Sequence, residues 1–250
     1  ADFHNHATSQ LTARLFECHD RSRFELIAFA FGPQVRDDMR RRLVAAFDEF
    51  IEVPDRNDAD VAALVRSRGI DIAIDLKGFT YDARPGIFAH GAAPIQVNYL
   101  GFPGSMGCDY IDYLVADETL VHRDEVQDYA EKIVFLPDSY QVNDNTKPVA
   151  SAMPDRASLG LPQDGFVFAS FNNSFKITPT TYDAWMRLLH QVPGSVLWLL
   201  RSSDAARANL EAEARSRGID PARIVWAPHM PLDRHLARHA CADLFLDTLY

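Results

Sequence analysis

Long apolar runs are missing from this 250-residue chain. None approaches the roughly 18–20 residues that a membrane-spanning helix needs. No charged-then-apolar leader opens it either, so we expect a cytoplasmic protein with no membrane partner. Cysteine is scarce: Cys18, Cys108 and Cys241 are the three present, too far apart for a disulfide framework or a zinc pattern. Reduced thiols are the expectation. Positive charge is in deficit, with 25 Lys and Arg against 35 Asp and Glu and a net charge of -10, which argues against a nucleic-acid surface. Known motifs are also lacking. There is no P-loop, no nucleophile elbow and no histidine pair at metal-ligand spacing, so no metal site is expected.

What remains is ordinary for a globular protein, 47% apolar and 24% charged. The 12 glycines are few, and three of them recur at intervals of three, Gly101, Gly104 and Gly107, just after the apolar run Ile95–Leu100. A strand that breaks into such a loop is where an open α/β sheet usually holds a ligand. The spacing differs from the dinucleotide fingerprint, whose first two glycines stand one residue apart.

The rest of the chain alternates between strand and helix patterns. Phe24–Phe31, Asp71–Leu76, Ile95–Leu100, Tyr113–Ala116 and Lys132–Leu136 read as strands. Between them, helices are predicted over Leu11–Glu17, Asp37–Phe50, the segment from Asn57 to Gly69, Arg84–His90 and Glu125–Glu131. Asp58-Ala59-Asp60 has the look of a metal-binding pair, but in a helix's first turn it reads better as charge favoured by the helix dipole. The polar loop Asp2–Ser9 could offer helix N–H groups to an anion or simply cap the helix.

Pro137–Pro162 is rich in Pro, Asp, Asn and Ser, as a linker would be. A second series follows, with strands at Phe166–Phe171, Val196–Leu200, Ile224–Trp226 and Leu244–Asp247. Helices are predicted from Thr178-Pro179 to about His190, over Ala205–Arg217, and from Pro231 onward. The expected fold is α/β: two Rossmann-like domains with parallel sheets flanked by helices and a ligand cleft between them. Residues 1–137 form the first, 138–162 the linker and 163–250 the second, and both ends look like cuts through a longer chain.

Lys176, just past a strand end, can neutralise a phosphate or be one more surface lysine. His235 and Arg238 share a helix face. They could stack on and hydrogen-bond a base, or form a solvated basic face.

An ordered set of motifs resembles the catalytic region of the O-linked N-acetylglucosamine transferases. It comprises Asp2-Phe3-x-Asn5-His6-x-Thr8-Ser9, Gly78-Phe79-Thr80 with Ala83-Arg84, Ala93-Pro94-Ile95-Gln96, Leu100-Gly101-Phe102-Pro103-Gly104 and Asp112-Tyr113. Phe171-Asn172-x-x-Phe175-Lys176, Pro193-x-Ser195 through Leu200, and Leu246-Asp247-Thr248 continue it. The resemblance implies the GT-B architecture and inverting, metal-independent transfer of N-acetylglucosamine from UDP-GlcNAc to Ser or Thr hydroxyls. UDP-GlcNAc is then a donor substrate and no cofactor is expected. The partners would be protein or peptide acceptors, with room left for a homodimer.

By the same resemblance, Lys176 holds the UDP phosphates, and His6 and Thr8 sit at the sugar and diphosphate. Asp2 matches a carboxylate proposed as proton acceptor, His235 and Arg238 the uracil-contacting pair, and Leu100 and Gly101 a wall of the sugar pocket. Asn173 stands where the family has glutamine, Leu232 where it often has lysine, and Tyr81 replaces another lysine. The family's tetratricopeptide repeats would lie before Ala1 and a His-Thr-Thr phosphate loop after Tyr250. Two alternatives are a GT-B enzyme using another sugar or a small-molecule acceptor, and a non-catalytic scaffold.

Overall fold

A computed structural model describes residues 1–248, which divide into two compact units, Ala1–Thr146 and a second that begins at Lys147. In the first, the elements run α1 (Ala7–Glu17), β1 (Ile27–Ala30), α2 (Asp38–Ala46), β2 (Glu49–Glu52), α3 (Asp58–Ser67) and β3 (Ile72–Asp75). Then come α4 (Gly86–Ala89), β4 (Ile95–Asn98), β5 (Tyr113–Ala116) and β6 (Lys132–Phe135). Two parallel sheets result, β1-β2 and β3-β4-β5-β6, with Ile74 opposite Val97 and Leu114 opposite Ile133.

Local chemistry explains the helix ends. Asn57 Oδ1 accepts the Asp60 N–H at 2.9 Å to start α3. Gly69, at φ +66°, closes it in a conformation that costs glycine little. Asp58 pairs with Arg84, and Asp60 accepts from Asn57 Nδ2 at 2.8 Å, so the two acids in α3's first turn serve its start.

Two predicted helices need correction. The pattern over Asp37–Phe50 stops at Ala46, because Phe47 turns extended and the chain re-enters as β2. The Phe47 ring still points inward, packing on Phe3, Phe16 and Phe50, which is why its spacing mimicked one more helical turn. Glu125–Glu131 holds only a single 3₁₀ turn, Val126–Asp128, with no buried residue to anchor a longer helix.

β1 and β3 each pair on one side only among the described residues. A groove of about 450 Å³ is lined by five successive residues of one segment, Glu25–Phe29, and by six of another, Ile72–Lys77. Side chains of a strand alternate between faces, so a cavity touching successive residues meets the strand's edge. The groove therefore runs along the open edges of β1 and β3.

The second unit contains β7 (Val167–Ser170), α5 (Pro179–Gln191), β8 (Val196–Leu200), α6 (Asp204–Ser216), β9 (Ile224–Ala227), α7 (Leu232–Arg238) and β10 (Leu244–Phe245). Its sheet is parallel, in the order β10-β7-β8-β9. One face buries Phe168, Leu197 and Leu199 against Tyr182, Trp185, Met186 and Leu189. The other buries Val167, Ala169 and Trp198 with Leu161 and Cys241. Burial on both faces is what makes these strands unbroken apolar runs.

The segment expected to begin a linker at residue 138 is bound to the first unit. Tyr99 donates its hydroxyl to the Tyr140 carbonyl at 2.9 Å, and Arg42 Nη1 lies 2.6 Å from Asp144 Oδ2.

Candidate functional site

The sequence-derived candidates fall into two groups, one in each unit. In the first unit His6 is the N-cap of α1, and its Nδ1 accepts the Thr8 backbone N–H at 3.2 Å. This resolves the entry loop as a capping loop whose cap is a histidine. Desolvation lowers the His6 pKa, against the pull of the Asp2 charge and with the help of Lys77.

Asp2 is held by Lys77. The Lys77 Nζ lies 3.2 and 3.0 Å from the two carboxylate oxygens, and both side chains are largely buried. Lys77 follows β3 directly, and its backbone N–H donates to Asp75 Oδ1 at 2.8 Å. Burial pushes the Asp75 carboxyl above the usual range. Lys77 is not among the candidates drawn from the sequence. The available signal was an acid and a lysine, Asp75 and Lys77, bracketing the end of an apolar strand.

After β4 the chain turns sharply. Leu100 is buried and sits at φ +70°, a left-handed conformation that costs a branched residue on the order of 1–3 kcal/mol. Gly101 follows, and a Cβ on it would collide with the Leu76 carbonyl oxygen and approach the Lys77 Cα to 3.1 Å. The space left by its missing side chain is filled by backbone at the end of β3. The fold itself therefore requires glycine at this position. Gly101 thus locks the β4 loop to the turn that carries Lys77.

The glycine-rich loop is tied from within. Asn98 Nδ2 donates to the carbonyls of Phe102 and Gly104 at 3.0 and 3.1 Å, and buried Glu131 accepts the Met106 N–H at 2.6 Å. Two of its carbonyls face the buried asparagine, so the loop is braced from within.

In the second unit the candidates gather beyond the carboxyl ends of β7 and β10. Lys176 ends the 3₁₀ turn Ser174–Lys176 that follows Phe171, with exposed Asn173 as its cap. Asn172 Nδ2 donates to Asp247 Oδ1 at 2.7 Å, which with the Thr248 N–H and the Lys176 charge lowers the Asp247 pKa. No hydrogen bond or ion pair engages Lys176 Nζ among the described residues.

His235 and Arg238 do share a face of α7, but that face is packed rather than solvated. Arg238 is 0% exposed. Its guanidinium carbon lies 4.5 Å from the Phe171 ring centre, and Nη1 donates to the Pro228 carbonyl at 2.6 Å. Its Nε and Nη2 are buried without a hydrogen-bond partner among the described residues, and burial lowers its pKa. The His235 ring packs on Phe171 and His239 at 5.3 and 4.7 Å. Burial, then the neighbouring Arg238 charge, brings its pKa down to about 4. His235 is therefore neutral near pH 7, and His239 joins it in an aromatic cluster with Phe171 and Phe245 that the sequence reading missed.

The model of glycosyl transferase family 41 matches residues 1–150 and 145–250. The chain belongs to that family. Over 99% of its length it is 36% identical to the Arabidopsis thaliana protein described as "Probable UDP-N-acetylglucosamine--peptide N-acetylglucosaminyltransferase SEC", of which it covers 26%. A Caenorhabditis elegans UDP-N-acetylglucosamine--peptide N-acetylglucosaminyltransferase is 25% identical over 99% of the chain and 31% of its own length. The chain thus spans about a quarter to a third of these relatives.

Among solved structures, a K341M mutant of the Thermobaculum terrenum O-GlcNAc transferase superposes with a TM-score of 0.89 at 28% identity, over 99% of this chain and 47% of that one. A Rickettsia africae glycosyltransferase, at 11% identity and a TM-score of 0.57 over 95% of this chain and 67% of that one, shares the fold alone. The fold is α/β, of the kind these glycosyltransferases have. No described helix is long and apolar enough to cross a membrane.

Proposed function

We propose that the protein containing this chain transfers N-acetylglucosamine from UDP-GlcNAc to Ser or Thr hydroxyls of proteins, with inversion and without a metal. The observation that carries the proposal is family membership over the whole chain, joined to the likeness to an O-GlcNAc transferase structure. The local chemistry supports it. Lys176 has no competing ion pair among the described residues and stands where a diphosphate would meet a strand end. Charge growing on the leaving diphosphate would be stabilised by its ammonium group. Neutral His235, packed on Phe171, suits stacking on a uracil ring better than binding a phosphate.

In this reading Arg238 meets the base through Nη2 or holds His235 and Phe171 in place. Asn173 and Thr8 contact the diphosphate, while Asp2, His6, Leu100 and Gly101 lie beside the sugar. A cytoplasmic location and protein acceptors belong to the same proposal. Supplying labelled UDP-GlcNAc and acceptor peptides to the full-length protein tests it. Transfer should be lost by about 10²- to 10³-fold in Lys176→Ala. No transfer from UDP-GlcNAc, with binding of a different nucleotide sugar, would instead favour the reading suggested by Asn173 and Leu232.

A further inference from the structure

Two hydrogen-bonding arrangements in the first unit decide what His6 can offer a ligand. Thr8 contributes a backbone N–H, which can only donate, so His6 Nδ1 at 3.2 Å must present its lone pair. The single proton of the neutral ring then sits on Nε2. The other tautomer would aim an Nδ1–H at Asp2, whose Oδ2 lies 3.6 Å away, beyond hydrogen-bonding distance. It would also leave the Thr8 N–H without its acceptor, in a first turn where no intrahelical partner exists.

Asp2 stays at that distance because Lys77 occupies both of its oxygens, at 3.2 and 3.0 Å. The pair is buried enough to persist: the side chains are 10% and 14% exposed. Lys77 is fixed in turn by its position after β3, where Gly101 packs on its Cα and Asp75 accepts its N–H.

We propose that Lys77 is a positioning residue: by claiming Asp2, it fixes His6 as the Nε2–H tautomer, a hydrogen-bond donor and not a proton acceptor. What that N–H meets rests on the function proposed above: an acceptor oxygen of the donor sugar or its diphosphate. The same pairing takes Asp2 out of the role of proton acceptor implied by resemblance. The charged and titratable side chains around the ring are Asp2, Lys77 and His4. Only Asp2 among them favours protonation, and Lys77 neutralises it.

The test needs no catalysis, so a failure of the glycosyltransferase reading would leave it intact. Long-range proton–nitrogen NMR on histidine-labelled protein reports both the tautomer and the titration midpoint of each ring, with His6→Gln giving the assignment. The wild type should show Nε2–H near pH 7.5. Lys77→Met should raise the His6 midpoint by about one pH unit as the Asp2 charge is freed, and draw a proton toward Nδ1. Lys77→Arg should restore both. If Lys77→Met does not fold, judged by its amide spectrum, Asp2→Asn serves instead, and should keep Nε2–H while lowering the midpoint. A predominant Nδ1–H form in the wild type overturns the proposal. So does an unmoved midpoint in Lys77→Met, or a raised one in Asp2→Asn.

Discussion

The guanidinium carbon of Arg238 stands 4.5 Å from the centre of the Phe171 ring, in a site that leaves two of its nitrogens without partners among the described residues. A buried cation that is half satisfied destabilises the fold unless a ligand completes its bonding. Arg238→Met keeps most of the volume and removes the charge. Its thermal midpoint should match or exceed that of the wild type, while UDP affinity measured by calorimetry falls. Arg238→Ala, which also opens a cavity, should lose about 2–4 kcal/mol in urea unfolding.

His235 gives a signed pH dependence. Its folded pKa is about 4, below the ordinary 6.5 of a histidine in the unfolded chain. Its contribution is therefore complete above pH 6.5 and is lost as the pH falls toward 4. Because the ring is partly solvated, the loss should be about 1 kcal/mol, less than the full displacement would imply. Urea midpoints between pH 7 and 5 check this, and His235→Phe should flatten the slope. His6, also lowered, adds in the same direction.

Gly101→Ala should cost about 2–3 kcal/mol, because the new methyl meets the Leu76 carbonyl and neither backbone can yield easily. Gly104→Ala is the control. Its Cβ would come no nearer than 3.2 Å to a Phe102 ring carbon, so a small ring shift should hold the loss below about 1 kcal/mol. Equal losses in the two variants would contradict the close approach of the β3 and β4 ends.

Asp144 anchors the end of the first unit. Burial raises its carboxyl pKa, but hydrogen bonds from Arg42 and Thr146 outweigh that and bring it to about 2. Asp144→Ala leaves Arg42 with Glu17 and the Thr146 hydroxyl and should cost about 3 kcal/mol. In the wild type this stability should persist above pH 4 and disappear between pH 4 and 2. Chemical denaturation across that range measures it.

The strands were legible wherever both faces are buried, as in Val167–Ser170 and Val196–Leu200, since double burial demands an unbroken apolar run. Helix starts at Asn57 and Thr178 were legible because capping is local chemistry. Strand β2 was not: Glu49-Phe50-Ile51-Glu52 is half exposed, and Phe47 before it keeps a helical interval for reasons of tertiary packing. The burial of Arg238 could not be read either. Nothing next to it in sequence shows that Phe171 and Trp198 will wall it in. Lys77 was missed because its partner, Asp2, lies 75 positions away.

The groove between β1 and β3 has a consequence for anyone handling the 250-residue chain. Along it, backbone donors and acceptors that no strand engages among the described residues border an apolar trench, which makes it a template for any extended apolar peptide. In concentrated solution the chain itself is the most abundant such peptide. Light scattering should rise with concentration and persist in high salt, which screens charge but strengthens apolar burial. A lysine at Ile74, on the rim of that trench, should keep the solution clear.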